Sequence, residues 1–156
     1  MSAIAIEPIG RVEGGRERPE DDFWGASEST IVLDERFPLE ALDGIEGFSH
    51  VEVLFYFDRV DPAKIETGAR SPRNRADFPR VGIFAQRGKN RPNRIGSTIC
   101  RIVRRDGRRL TVAQLDTIEG TPVLDIKPVL VEFLPREPVR QPDWSRELMR
   151  EYWSTK

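Results

Sequence analysis

The sequence contains a single cysteine, Cys100, and a single histidine, His50. One cysteine cannot form an intramolecular disulfide, and one residue of each kind leaves too few ligands for a zinc or iron–sulfur centre. The first fifteen residues lack the basic stretch, long apolar run and small-residue cleavage site of a secretory signal peptide. These absences predict a cytoplasmic protein without a metal site.

Long apolar runs are missing as well. The longest, Val53–Phe57, is far shorter than the ~20 residues that a membrane-spanning helix needs, so no membrane association is expected. The sequence also lacks a G-x-G-x-x-G motif, a Walker A loop, an H-E-x-x-H motif and a G-x-S-x-G elbow. Their absence argues against a Rossmann-type methyltransferase or dehydrogenase.

What the sequence does contain is typical of one compact domain. Its 156 residues match the ~100–200 residues of an average domain, and 38% of them are hydrophobic. Short β-branched and aromatic runs, separated by turn residues, fill the first 130 positions. They predict a single all-β domain over residues 1–156, mainly an antiparallel β-barrel with a core at about 4–130. Short helical insertions and a C-terminal helical tail at 142–154 complete the prediction.

The predicted strands are Ile4–Val12, Ser29–Leu33, His50–Arg59, Val81–Ala85, Ser97–Arg105, Arg108–Leu115 and Val123–Lys127. Asp106-Gly107, between two alternating runs, predicts a hairpin with a type I′ turn, in which both central residues have positive φ. The nearly continuous apolar run from His50 to Phe57 favours a central strand that is buried on both faces or that passes under a neighbouring segment.

Two helical segments are predicted. A short one lies around Leu39–Asp43, and a second begins at about Trp144 with Asp143 as an N-cap carboxylate. Trp144, Leu148 and Tyr152 would share one face of the second helix. That face packs either on the barrel of its own chain or on a second subunit.

Positive charge is concentrated in Arg70–Arg109, where twelve arginines and Lys89 face only two acidic residues. This block has a net charge of +11 in a chain whose total is −1. A block of this kind is an electrostatic footprint for a polyanion, although a solvated strand face would read the same way. Its densest part holds four cations in eight residues, Arg87, Lys89, Arg91 and Arg94. A solvated turn is the alternative there.

Several separated segments carry a family resemblance. They are Pro8–Gly10, Gly44–His50, Gly82–Arg87, Arg91–Asn93, Ile95-Gly96 and Gly120–Pro128. Occurring in this order, they identify residues 7 to about 130 as similar to the TsaA/TrmO-like family, also called YaeB-like or VirR-like. Its members have a small β-barrel that binds S-adenosyl-L-methionine. The best characterised methylate N6 of N6-threonylcarbamoyladenosine at position 37 of tRNA.

The resemblance implies a homodimer whose cofactor site lies in loops at one barrel end and is completed by the partner subunit. The implied cofactor-binding residues are Asp58, Arg59, Arg87, Ser97, Glu119, Gly120, Thr121 and Pro122. Arg87 would hold the cofactor carboxylate, and the Gly-Thr-Pro turn would present backbone groups to the adenine edge. The implied tRNA-binding residues are Lys89, Arg91, Asn93 and Arg94.

A base that removes the N6 proton would assist the transfer, and Asp58 and Asp125 are the predicted catalytic carboxylates. An ion pair with Lys127 is the structural alternative for Asp125. The family usually has histidine at position 58 and proline at position 94, where this chain has Asp58 and Arg94. Alternatives therefore stay open: a non-catalytic S-adenosylmethionine- or nucleotide-binding regulatory module, a methyltransferase with a different acceptor, or an RNA-binding barrel without a cofactor.

Overall fold

Six antiparallel strands close into a barrel in the computed structural model, which describes residues 1–156. The strands of the chain are β1 (Gly10–Glu13), β2 (Glu28–Leu33), β3 (His50–Tyr56), β4 (Ala69–Arg70), β5 (Val81–Gly82), β6 (Ile95–Asp106), β7 (Arg109–Ala113) and β8 (Pro122–Pro128). The barrel order is β1-β2-β7-β6-β3-β8, and β8 pairs back onto β1. The strands β4 and β5 form a separate two-stranded ribbon. The predicted all-β barrel is confirmed.

The barrel interior is filled by alternate residues of each strand. On β3, Val51, Val53 and Phe55 are buried, whereas the residues between them are half-buried and point outward. The prediction that β3 is buried on both faces is therefore wrong, because a barrel wall has only one inner face. The core consists of Val12, Ile31, Val51, Val53, Phe55, Cys100, Leu110, Val112, Leu115 and Val123. Burial raises the pKa of the Cys100 thiol, so that this side chain is an inert part of the core.

The predicted hairpin joins β6 to β7, but its turn is shifted by one residue. Asp106 still pairs with Arg109, so the two central residues are Gly107 and Arg108. Only Gly107 has positive φ, at 61°, which fits a type II′ turn and not the predicted type I′ turn. Glycine supplies the one left-handed residue that this turn needs.

Four predicted strands are shorter than expected, β3 and β7 by three residues each and β1 and β5 by more than half of their predicted length. Ile4 and Ile6 lie outside any strand and are exposed, because the partners of β1 on both sides begin at Gly10. After β5, the chain turns into a 3₁₀ helix over Ile83–Ala85. This turn buries Ile83 and leaves Phe84 exposed. A strand would also bury one of two consecutive residues and expose the other, so the sequence pattern fits both structures.

The helical segments are short. A 3₁₀ helix covers Leu39–Leu42, and α1 covers Asp143–Leu148. Asp143 lies in the first turn of α1 and not at its N-cap, which is Pro142 with no side-chain hydrogen bond. The packing is on the same chain: the Trp144 ring lies 6.5 Å from the Phe78 ring, between centroids. No helix has the length and apolar character needed to cross a bilayer.

Candidate functional site

The loops that carry the predicted site meet at one end of the barrel. Because neighbouring strands are antiparallel, β3 and β1 end where β6 and β8 begin. We call this the loop end, and the opposite end, with the β6–β7 turn, the hairpin end. The Arg59 guanidinium donates to the carbonyl of Glu119 at 3.0 Å and to that of Glu17 at 3.3 Å. Arg59 thus joins three loops of the loop end.

Arg87 and Ser97 are also brought together. One guanidinium nitrogen of Arg87 donates to the Ser97 carbonyl at 2.5 Å, while the rest of this side chain is exposed. The Ser97 hydroxyl donates to a carboxylate oxygen of Glu52 on the neighbouring strand at 3.2 Å. Arg87 is thereby oriented by backbone and keeps further N–H groups for an anion.

In the Glu119–Pro122 turn, every backbone N–H group already donates a hydrogen bond within the chain. The amides of Glu119, Gly120 and Thr121 donate to the carbonyls of Arg16, Val12 and Ile118 at 2.6, 2.8 and 3.2 Å. The Thr121 hydroxyl donates to the carbonyl of Ile118 at 2.7 Å, and proline has no N–H group. The turn therefore has no free N–H group for a ligand. Its acceptors are carbonyl oxygens, of which those of Glu119 and Thr121 already accept one hydrogen bond each, from Arg59 and from the Val12 amide.

The two predicted catalytic carboxylates have different surroundings. The carboxylate of Asp58 is exposed at the loop end and has neither a hydrogen bond nor an ion pair. Asp125 accepts from the Ile126 amide at 2.9 Å and lies 3.3 Å from the Lys127 ammonium. The ion pair weighed for Asp125 is thus present.

Asp125 also borders a different feature from the loop end. It lines a cavity of about 410 Å³ together with Phe37, Leu42 and Phe48, all near the hairpin end of the barrel. Along β8 it lies three residues beyond Pro122, which is about 10 Å of extended chain. The structure does not join its side chain to Arg87 or to the 119–122 turn.

The four cations of the basic loop, defined as residues 87–94, have no carboxylate within ion-pair distance. Arg91 donates to the Gln86 carbonyl at 2.7 Å, and Arg94 donates to the Val60 carbonyl at 3.2 Å. Lys89 is exposed, and its ammonium group has no hydrogen-bond partner. The uncompensated positive charge of this loop is available to an anionic partner.

The loop also holds an unusual backbone conformation. Asn93 and Arg94 follow Pro92 with φ of 63° and 50°, in the left-handed region that few residues other than glycine adopt. Such conformations cost energy and persist only where the surroundings determine them. Arg94 helps to hold this conformation, because its guanidinium both donates to the Val60 carbonyl and lies 4.8 Å from the centre of the Tyr56 ring.

Three residues of the loop end were not predicted. The Thr98 hydroxyl donates to one carboxylate oxygen of Asp116 at 2.5 Å, and the Tyr152 hydroxyl donates to the other. Thr98 follows Ser97 directly, so this network borders the Arg87 contact. No local pattern links Tyr152 to a residue 36 positions earlier, and only the fold reveals the pair.

Most of the chain, including most of the loop end, is similar in sequence to a known protein family. Positions 17–133 match the family model described as the tRNA-methyltransferase O N-terminal domain. The chain belongs to this family. The resemblance inferred from the sequence segments is therefore confirmed.

Several relatives illustrate the range of this family. A probable S-adenosyl-L-methionine-binding protein of Pyrococcus abyssi is 37% identical over 142 residues, which cover 88% of this chain and 74% of that protein. The human tRNA (adenine(37)-N6)-methyltransferase is 35% identical over 148 residues, covering 89% of this chain but 33% of the human protein. The crystal structure of TrmO from Pseudomonas aeruginosa superposes with a TM-score of 0.74 at 27% identity. That match covers 92% of this chain and 62% of the TrmO chain, so this chain spans less than two thirds of it.

The matched part of the TrmO N-terminal domain includes every predicted site residue, from Asp58 to Asp125, and also Asp116. Tyr152 lies beyond the last matched position. The loop end therefore combines residues of the family domain with one residue from the C-terminal part of this chain.

Proposed function

We propose that this protein is a cytoplasmic, S-adenosylmethionine-dependent methyltransferase, a single domain over residues 1–156, that acts on N6 of adenine 37 in tRNA. The preferred acceptor is N6-threonylcarbamoyladenosine. The observation that carries the proposal is the loop end, where an exposed Arg87, an unpaired Asp58 and the uncompensated basic loop lie on neighbouring loops. The names of the archaeal and human relatives support the same cofactor and acceptor.

The residues of the loop end fit the cofactor. Arg87 has free N–H groups for the carboxylate of its amino-acid part, and Asp58 has a free carboxylate for the positive sulfonium. The carbonyl oxygens of the Glu119–Pro122 turn suit the amino group of adenine, because that group is a hydrogen-bond donor. When bound, S-adenosylmethionine supplies an electrophilic methyl group.

Asp58 is the better placed of the two predicted bases. Methyl transfer breaks the S–CH₃ bond, forms an N6–CH₃ bond and leaves an uncharged thioether, so N6 must lose one proton. The free carboxylate of Asp58 can accept that proton. Asp125 would first have to leave Lys127, which makes it the second choice. The main task of the other residues is to hold donor and acceptor in line.

The basic loop suits the tRNA backbone. Lys89, Arg91 and Arg94 present positive charge that no carboxylate of the chain neutralises, and Asn93 adds an exposed amide. Phosphate contacts of this kind supply affinity and position the nucleic acid without reading its sequence. This supports a tRNA substrate in preference to a small neutral acceptor.

A homodimer completes the proposal. On β6, Ile95 and Ile99 share the outer face with Ser97, and Ile99 is 47% exposed. Phe84, three residues before Arg87, is 76% exposed. A second copy of the chain that covers this apolar surface would lie directly beside the cofactor residues.

Incubation with methyl-labelled S-adenosylmethionine and bulk tRNA tests the function, provided that the tRNA carries threonylcarbamoyladenosine without its methyl group. Nucleoside mass spectrometry should find the label in methylated threonylcarbamoyladenosine. Label in another nucleoside would contradict the acceptor, and binding without transfer would favour a regulatory module. Asp58→Asn should lower kcat by about 10²-fold or more even at saturating cofactor, because the amide cannot accept the N6 proton. Asp61→Asn, an exposed aspartate on the same loop, is the matched control.

A further inference from the structure

The C-terminal tail, defined as residues 143–156, docks against the loop that precedes β2. Backbone amides of Phe23, Trp24 and Gly25 donate to tail carbonyls at 3.0, 2.7 and 3.3 Å. A Cβ atom at Gly25 would lie 2.0 Å from the carbonyl oxygen of Trp153, so glycine is required where the two segments meet. The tail is therefore attached to the barrel by its backbone at the loop end.

This docking places Tyr152 in contact with Asp116. The Tyr152 hydroxyl donates to one carboxylate oxygen, and the Thr98 hydroxyl donates to the other at 2.5 Å. Both oxygens of Asp116 are thus occupied by uncharged donors. The next residue before Thr98 is Ser97, whose carbonyl receives the Arg87 guanidinium.

The electrostatics connect the same groups. Burial raises the pKa of the Tyr152 phenol, and the Asp116 charge raises it further, while the charges of Arg87 and Arg73 lower it. The phenol therefore stays protonated and remains a hydrogen-bond donor. The geometry links the two opposite charges through consecutive residues of β6, because the Arg87 guanidinium donates to the Ser97 carbonyl and Asp116 accepts from the Thr98 hydroxyl.

A carboxylate beside Arg87 competes with any carboxylate that Arg87 is to bind. With both oxygens satisfied by hydroxyl groups, Asp116 has less to gain from turning toward the guanidinium. Removing one hydroxyl leaves a carboxylate oxygen without a partner in a half-buried setting. The Arg87 guanidinium, bonded to the residue next to Thr98 and free of any carboxylate, is the cation that we expect to replace the lost donor.

We propose that Tyr152 is a positioning residue of the cofactor site, which keeps Asp116 away from Arg87 and so keeps Arg87 available for the amino-acid carboxylate of the cofactor. This role rests on the proposed function. It assigns a task to a residue outside the part of the chain that matches the family domain.

Calorimetric binding of two ligands to Tyr152→Phe tests the role. The affinity for S-adenosylmethionine should fall about tenfold, which is the scale of one hydrogen bond to a charged group. The affinity for 5′-methylthioadenosine, which lacks the amino-acid part, should stay the same. In turnover, KM for the cofactor should rise while kcat changes less than about twofold. Ser145→Ala removes an exposed hydroxyl from the same tail and should change neither affinity.

A rescue separates this role from a structural one. Tyr152→Phe combined with Asp116→Asn has no free anion beside Arg87, so S-adenosylmethionine affinity should return to within about threefold of wild type. A tail that merely supports the fold would give no recovery. If Tyr152→Phe fails to fold, Thr98→Val frees the other oxygen of Asp116 in a strand that favours valine. It should show the same selective loss.

The outcomes are distinguishable. Equal loss of both ligands, or no loss of S-adenosylmethionine affinity in a folded Tyr152→Phe protein, would overturn the role of Tyr152 and leave the proposed function intact. A wild-type protein that binds no S-adenosylmethionine would overturn both.

Discussion

The Arg59 guanidinium reaches the Glu119 carbonyl across 3.0 Å and thereby ties the loop after β3 to the turn before β8. Lysine keeps the charge but not the planar fork that holds two carbonyls. We expect Arg59→Lys to loosen the turn and to raise the Kd for S-adenosylmethionine about threefold to tenfold in calorimetry. Arg108→Lys is the matched control, because Arg108 also holds two carbonyls, but at the hairpin end. Equal Kd values in the two variants would contradict a role for this contact.

Replacing Arg87 should weaken cofactor binding selectively. The guanidinium has free N–H groups beside its bond to Ser97, and a lost charge-assisted contact costs about tenfold to hundredfold in affinity. Arg87→Ala should therefore raise the Kd for S-adenosylmethionine on this scale and leave that for 5′-methylthioadenosine unchanged. Arg80→Ala, another exposed arginine bonded to a carbonyl, should change neither value. If Arg87→Ala binds the cofactor like wild type, another group holds the carboxylate.

Local patterns predicted the barrel well and its turns less well. Alternating apolar residues identify β2, β6 and β7, because one face of each strand must enter the core. A nearly continuous apolar run identifies β3 but does not show that only one of its faces is buried. A strand end depends on where its neighbour ends, which local sequence does not contain. This is why β1 begins at Gly10 although apolar alternation starts at Ile4. The same limit explains the shift of the turn at Gly107 by one residue.

The candidate site shows a similar division. Arg87 and Ser97 are separated by ten residues, and the family resemblance predicted that both belong to the cofactor site. The contact of Tyr152 with Asp116 depends on the path of a tail that docks through backbone hydrogen bonds. Backbone groups are the same in every residue, so side-chain patterns do not reveal such a path.

The basic loop should contribute to the salt dependence of tRNA binding. Each phosphate contact releases counterions, so that removing one lowers the slope of log K against log salt by about 0.7–0.9. We expect this change for Lys89→Ala, whose ammonium is exposed and unpaired. Arg36→Ala removes one positive charge near the hairpin end and should leave the slope unchanged. Filter binding over a range of salt concentrations measures both, and equal slopes would remove Lys89 from the interface.

A charge on the outer face of β6 should disrupt the proposed dimer. Ile99 lies on the same face as Ser97 and exposes 47% of its surface. Burying an unpaired carboxylate at an interface is costly, so Ile99→Glu should give a monomer in light scattering. Ile4→Glu, an exposed position before β1, should leave the mass unchanged. A wild-type protein with the mass of one chain would contradict the dimer itself.

The Glu13 carboxylate should make stability depend on pH in a defined direction. A hydrogen bond from Arg109 lowers the pKa of Glu13 below its ordinary value, and the charges of Arg109 and Arg11 add to the effect. A lowered folded-state pKa means that the contribution is complete above about pH 4.5 and is lost as pH falls through the folded value. Glu13→Gln should therefore be less stable than wild type in urea unfolding near neutral pH. The two proteins should converge once the pH falls below the folded-state pKa of Glu13.

The matched control for this ion pair is Glu132→Gln, because Glu132 is exposed and its carboxylate has no cation within ion-pair distance. It should unfold like wild type at both pH values. Salt offers an independent test. At about 1 M NaCl the Debye length falls to about 3 Å, so that exposed charges interact more weakly and the difference at neutral pH should shrink. A difference that persists unchanged at low pH would assign the effect of Glu13→Gln to packing, because protonation leaves no charge for Arg109 to stabilise.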